Sequence, residues 1–423
     1  MNRQRARREA GRVRRSPGIR MLRVLAPVLV LAAVLAAMAA RAAPAAENPL
    51  LAYDLSMVGD DSRLRLIVRF DREVAPRWSL LRQPHRLVID LPDTRFRFSD
   101  ESTAPAGLVA GLRYGDLGEG RARMILRFDT PFRVERFEME KVARDGTWRL
   151  VADIVSATPA EFEAALAAQP ALQAPARSTP KADRLASNRA DGDRRFTIVL
   201  DPGHGGIDGG AEGLHGTQEK TITLAFALEL RKELEEAGRF RVVMTRDSDE
   251  FLRLDERVRI GRQNEADLFV SIHADTIRYG YVRGATVYTL SEKASDEVAA
   301  AIAETENLAD AIAGMELPER DTEVADILLD LVRRETQSFS VRFARTLVGE
   351  LSDEVELIKN PHRSAGFRVL TAHDMPSVLL ELGYLSNSKD EKLMRDPRWR
   401  EKAARSIVSA VTLFAAAHGA QGG

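Results

Sequence analysis

The sequence predicts an α/β domain with a mostly parallel sheet, preceded by a small all-β sandwich. Three observations carry this reading. Residues 195–418 alternate short apolar runs with segments of helical period, the pattern of strands linked by crossover helices. Residues 48–156 repeat short runs of period-two alternation separated by turn residues. Between them, residues 157–194 hold Pro159, Pro170, Pro175 and Pro180 among many Ala, Ser, Gln and Asn. That composition builds no core and reads as a flexible linker, with one short helix near Glu161–Ala168. At 423 residues the chain exceeds one ordinary domain, as two domains and connecting segments require.

The first twenty residues carry eight arginines and one acid, and Val24 to Ala40 is uncharged and rich in Leu, Val and Ala. Ala42-Ala43-Pro44-Ala45-Ala46 then supplies the small residues of a cleavage zone. Residues 1–43 therefore read as an export signal, the apolar run being slightly short for a membrane span. Arg7-Arg8 and Arg14-Arg15 leave the route open between Sec and Tat. No other segment of the chain is long and apolar enough to span, so the processed chain is expected outside the inner membrane without a stable anchor.

In the β region, strands are expected at Arg63–Phe70, Arg86–Leu91, Arg121–Phe128 and Trp148–Val155. Arginine at alternate positions marks a wet outer face over a packed inner one. His85 beside Pro84 reads as a turn residue. In the second region, strands are expected at Thr197–Asp201, Arg241–Thr245, Leu268–His273, Ala285–Leu290, Arg368–Thr371 and Ser377–Glu381. Helices are expected at Thr221–Ala237, Leu254–Asn264, Gln337–Leu351 and Glu401–Ala417.

The net charge of −1 gives no global field for nucleic acid. The chain has no cysteine, which excludes disulfides, thiolate metal sites and cysteine nucleophiles. Any metal is held by histidine and carboxylate. The chemistry concentrates at Asp201-Pro-Gly-His-Gly-Gly206, where His204 follows an apolar strand inside a Gly/Pro turn. Glu219 precedes a predicted helix, His273 ends a strand, and Glu381 ends another in an apolar setting. Sites in open α/β sheets lie beyond the carboxyl ends of the strands, so these residues can converge. Two imidazoles, a carboxylate and a spare glutamate are the parts of a catalytic zinc site: three protein ligands, an open position and a general base. Glu219 has a plainer role too, since a helix N-terminus favours a carboxylate.

Asp201-Pro-Gly-His-Gly-Gly206, Gln218-Glu-Lys220, Ser271-Ile-His-Ala-Asp275 and Pro376-Ser-Val-Leu-Leu-Glu-Leu-Gly-Tyr-Leu-Ser-Asn387 together resemble the signature motifs of the zinc-dependent N-acetylmuramoyl-L-alanine amidases. The resemblance covers 195–418. The preceding β region resembles the AMIN domain of periplasmic, cell-division members. The resemblance implies that His204, Glu219 and His273 bind one zinc ion per chain and that Glu381 is the catalytic glutamate. It implies cleavage of the amide between N-acetylmuramic acid and L-alanine in peptidoglycan, in the periplasm at the division septum, with the β domain as the wall-targeting part. Asp208-Gly209-Gly210-Ala211 stands where many relatives have Asp-Pro-Gly-Ala, a departure that touches no ligand. His215 and His373 lie near the motifs in loops and are left without a role.

Residues 292–336 form an insertion with an alanine-rich helix over Ala299–Ile312 and a second helix at Glu323–Arg333. In division amidases carrying such an insertion, a helix covers the zinc and its glutamate fills the open position. Glu306 is the matching candidate here, and the resemblance implies release by a LytM-domain activator. A helical hairpin that merely decorates the surface fits the same residues. Two other functions stay open on the sequence: a zinc peptidase or carboxypeptidase acting on the stem peptide, and a non-catalytic peptidoglycan-binding protein.

Overall fold

Alternation with arginine on the outer face folds the N-terminal region into two facing sheets. The computed structural model describes residues 48–82, 84–118, 120–143, 146–169, 195–314 and 327–419. The expected export signal, residues 170–194 of the expected linker, and the start of the expected Glu323–Arg333 helix lie outside the described residues.

The β region comprises β1 (Leu50–Gly59), β2 (Arg63–Phe70), β3 (Arg77–Leu81), β4 (His85–Pro92), β5 (Thr94–Phe96), the helical turn α1 (Asp100–Thr103), β6 (Val109–Gly118), β7 (Arg121–Phe128), β8 (Phe132–Lys141), β9 (Trp148–Ser156) and α2 (Pro159–Ala168). One sheet runs β5-β1-β2-β9-β8 and the other β3-β4-β7-β6. In β2 the inward residues Leu64, Leu66, Val68 and Phe70 are buried, while Arg63, Arg65 and Arg69 point outward. Those arginines are engaged: Arg63 meets Glu135 at 2.5 Å, Arg65 meets Asp153 at 2.6 Å and Arg69 meets Asp54 at 3.1 Å. The outer face is thus a lattice of paired charges. α2 starts from a capping box of Thr158 and Glu161 with Pro159 in its first turn, and seats Phe162 in the sandwich core. His85 is a strand residue rather than a turn residue; its ring meets Phe162 edge-on at 4.6 Å.

The second region comprises β10 (Phe196–Pro202), α3 (Glu219–Glu236), β11 (Phe240–Met244), α4 (Leu254–Gln263), β12 (Leu268–His273), β13 (Ala285–Leu290), α5 (Glu297–Glu306), α6 (Ala309–Ile312), α7 (Ile327–Leu351), β14 (Leu357–Ala365), β15 (Ser377–Glu381), α8 (Ser388–Arg395) and α9 (Pro397–Gly419). The sheet order is β11-β10-β12-β15-β13-β14, parallel throughout except where β13 meets β15. This is the mostly parallel sheet the alternation predicts. Its central strands are buried on both faces: Ile198, Leu200, Val270 and Leu380 pack toward Phe226, Phe343 and Val411, whereas Val199, Phe269 and Leu379 pack toward Val258, Ile302 and Leu370.

Two expectations for this region are corrected. Arg368–Thr371 is no strand; Arg368–Leu370 is a 3-10 turn that buries Val369 and Leu370. Four residues are too few to set a period. The sixth strand is instead β14, masked in the sequence by Pro361 and a weak alternation; as an edge strand it tolerates proline. The helix expected at Gln337 begins by Ile327, because no breaker separates it from the segment before.

Strand register brings the predicted site residues to one edge of the sheet. Asp201 lies beside Ser271, and His273 beside Glu381. Asp201 is fully buried; it accepts from Thr245 Oγ1 at 2.7 Å, Ser271 Oγ at 2.7 Å and Arg257 at 2.9 Å. Burial alone pushes the Asp201 carboxyl up, but Arg257 and the two hydroxyls outweigh it and hold it below its ordinary value. Its contribution to stability is therefore full above about pH 4 and is lost as pH falls through the lower folded value. Asp201→Asn is expected to cost about 3–5 kcal/mol, because Arg257 is left buried without its counter-charge. A urea or thermal midpoint that matches the parent would refute this.

Candidate metal centre and active site

The turn after β10 carries His204 with φ of 60°, a left-handed backbone that a non-glycine residue holds only when its surroundings impose it. Two buried arginines impose it. Arg257 donates to the carbonyls of Pro202 and His204, each at 2.7 Å, and Arg246 to those of Pro202 and Gly203 at 2.9 and 2.8 Å. Gly203 is required by close approach: a Cβ there would lie 2.4 Å from His273 Cε1.

His204, Glu219, His273 and Glu306 form one buried cluster whose ligand atoms all lie within 4.8 Å of one another. Glu219 opens α3 and is locked from both sides, accepting from Ala211 N and Ala274 N at 2.8 Å each. Its oxygens stand 3.1 Å from His204 Nε2 and 3.3 Å from His273 Nδ1. Glu306, the last residue of α5, places Oε2 at 3.4 Å from His204 Nε2 and 3.0 Å from His273 Nδ1. The other nitrogen of His204, Nδ1, meets Asp208 Oδ2 at 2.8 Å, which fixes the ring and leaves Nε2 facing inward.

The fit to a metal ion rests on one observation. His204 Nε2 and His273 Nδ1 are buried and, among the described residues, have no well-aligned hydrogen bond, although carboxylate oxygens surround both. Buried polar atoms are ordinarily satisfied. Two nitrogens and two carboxylates converging on one point are a donor set that can hold a metal ion.

Glu381 is fully buried beside this cluster. Its Oε2 accepts from Asp275 N at 3.0 Å, and its Oε1 has no hydrogen-bond partner among the described residues. Burial, reinforced by the nearby acids, pushes Glu381 well up against the pull of His273. Burial and the neighbouring Glu306 and Glu219 raise Asp275 likewise. Burial would push both histidines down, but Glu219, Asp208 and Glu306 raise His204 well above its ordinary value, and Glu306 and Glu219 raise His273 to about 10. Glu306, opposed by burial and favoured by the two imidazoles, falls to about 2.

His215 and His373 lie outside the cluster. His215 pairs with Glu391 at 2.7 Å on a largely exposed ring. Sequence reasoning gave no role to Asp208, Asp275, Arg246 or Arg257. Asp208, four residues after His204 in a glycine-rich turn, and Asp275, two residues after His273 in the Ser271–Asp275 motif, were the local signals available.

Residues 198–413 match the family model of N-acetylmuramoyl-L-alanine amidase (Amidase_3), and residues 54–158 match the AMIN domain. The N-acetylmuramoyl-L-alanine amidase AmiC of Escherichia coli O6:H1 is 31% identical over 368 residues, covering 84% of this chain and 87% of that protein. The AmiC of Neisseria meningitidis serogroup B is 35% identical over 348 residues, covering 79% of this chain and 82% of that protein. Among solved structures, AmiC2 of Nostoc punctiforme is similar over 53% of this chain and 98% of that one, at 25% identity and a TM-score of 0.39. Among the described residues, no helix is long and apolar enough to cross a membrane. The chain belongs to the N-acetylmuramoyl-L-alanine amidase family, as a peptidoglycan amidase of the AmiC type with an AMIN domain ahead of its catalytic domain.

Proposed function

We propose that this chain is an exported zinc amidase that cuts the bond between the lactyl group of N-acetylmuramic acid and L-alanine, splitting septal wall in the periplasm. The observation that carries the reading is the buried convergence of His204, Glu219 and His273 beside the unsatisfied Oε1 of Glu381. His204 Nε2, His273 Nδ1 and a Glu219 oxygen would hold zinc. When bound, zinc supplies Lewis-acid chemistry, polarising a carbonyl and acidifying water.

The protein's own groups do the rest. Asp275 N anchors one oxygen of Glu381 and so aims the other. Glu381 Oε1 takes the proton of the attacking water and returns it to the leaving nitrogen of L-alanine; burial raises its pKa above the ordinary carboxylate value, toward the range in which a glutamate can give the proton back. In the resting state Glu306 occupies the position that water and substrate need, so the enzyme is off until a partner, by resemblance a LytM-domain activator, draws α5 away.

Mass spectrometry of products from purified sacculi tests the activity: intact glycan with free lactyl carboxyls, and whole stem peptides, are expected. Peptides trimmed elsewhere would establish a stem-peptide peptidase instead, and undigested sacculi with activator present would leave only a binding protein. Asp208→Ala is expected to weaken zinc binding by about 10–100-fold, since His204 loses the carboxylate that orients it. Competition with a chelating dye measures this, and parent-like affinity would overturn it.

A further inference from the structure

We infer that the N-terminal β domain is a latch that holds the zinc-capping insertion shut. The inference rests on the capping role of Glu306 proposed above. The contacts that carry it lie beyond the metal site, where the chain leaves α6.

A short helix ends with carbonyls that lack partners of their own. Here β-domain arginines supply them. Arg86 of β4 donates to Ala311 O at 2.5 Å, and Arg123 of β7 donates to Ala313 O at 2.7 Å and Gly314 O at 3.2 Å. Arg123 is itself fixed by Asp90 at 2.6 Å and is largely buried. Positive charge at the carboxyl end of a helix is also favoured by the helix dipole.

An apolar seam closes over these bonds. Ala313 is fully buried among Val88, Leu117 and Ile125 of the β domain and Ile207 and Phe251 of the catalytic domain. Asp310, in α6, accepts from the backbone of Leu254 at 3.1 Å and so ties the same segment to the start of α4. The β domain also abuts the turn that carries His204. Ile207 N donates to Asp116 O at 3.0 Å, and a Cβ on Gly115 would lie 2.6 Å from Ile207 N. One rim of the β domain therefore touches both the first ligand's turn and the segment of the insertion from Ala311 to Gly314. Carrying α5 and α6 away together would break three charge-assisted hydrogen bonds and expose the seam. The partner surface of this rim is the protein's own insertion.

The test uses the full chain. In an Arg86→Ala/Arg123→Ala double variant, amide hydrogen exchange over residues 297–314 should accelerate about tenfold or more, the loss of charge-assisted hydrogen bonds being worth at least that. Exchange in β2, β9 and β12 should stay as in the parent, and hydrolysis of sacculi without activator should rise several-fold. Ala313→Glu attacks the seam from the insertion side and should act the same way if the double variant misfolds. Parent-like exchange over 297–314 in a folded variant would overturn the latch. Glu306→Ala separates the two ideas. If it raises basal activity while the rim variants change nothing, the capping stands and the latch falls. If it does not, the capping reading itself fails and takes the latch with it.

Discussion

Glu381→Gln is expected to lower amide hydrolysis by about 10²–10⁴-fold while zinc content and melting temperature stay at parent values. The substitution keeps the shape and the bond from Asp275 N, and removes only the oxygen that can take a proton. Burial makes this position unusual: the carboxyl sits at the end of a fully buried strand with Oε1 facing no donor among the described residues. A group placed there for structure would find a partner. Dye release from labelled sacculi, run beside metal analysis, decides the matter. Turnover equal to the parent's with zinc bound would remove Glu381 from the mechanism.

Glu306→Ala is expected to raise activator-free hydrolysis by about tenfold or more, and to make added activator nearly irrelevant. The carboxylate stands 3.0 and 3.4 Å from the two imidazole nitrogens, buried contacts that hold the end of α5 at the centre. Removing them shifts α5 toward positions that leave the centre accessible. Glu304, two residues earlier and exposed, is the internal control and should leave the rate unchanged. A Glu306 variant with the parent's basal rate would mean that the insertion does not gate the site.

Much of the fold was legible because burial imposes a period. β2 and β7 run over the residues whose alternation announces them, Arg63–Phe70 and Arg121–Phe128. β6 hides behind Gly111, Gly115 and Gly118, and β8 behind a run of charges that pair across its exposed face. β14 hides behind Pro361. The site was legible where a residue type is itself unusual, as with a histidine in a glycine turn or a glutamate inside an apolar strand. It was illegible where function comes from distant partners. Arg257 reaches Asp201 across 56 positions and Arg246 reaches Gly203 across 43. Nothing local distinguishes these arginines from the many on the surface, because what sets them apart is desolvation by a chain that returns from elsewhere.

The antiparallel junction between β13 and β15 also fixes where the arm that carries Glu306 begins. Thr286 lies opposite Glu381, so β13 runs away from the catalytic edge and ends at Leu290, four residues or about 13 Å further on. α5 must carry the chain back, and its ten residues span about 15 Å. Helix and strand act as a ruler folded on itself, with its joint at the edge remote from the candidate metal centre. Residue count in the returning arm therefore sets reach, and at about 100° per residue it also sets aim. A single residue gained or lost within α5 would turn Glu306 off the centre without altering any catalytic strand. Selection on the length of this arm is thus separable from selection on the chemistry it covers.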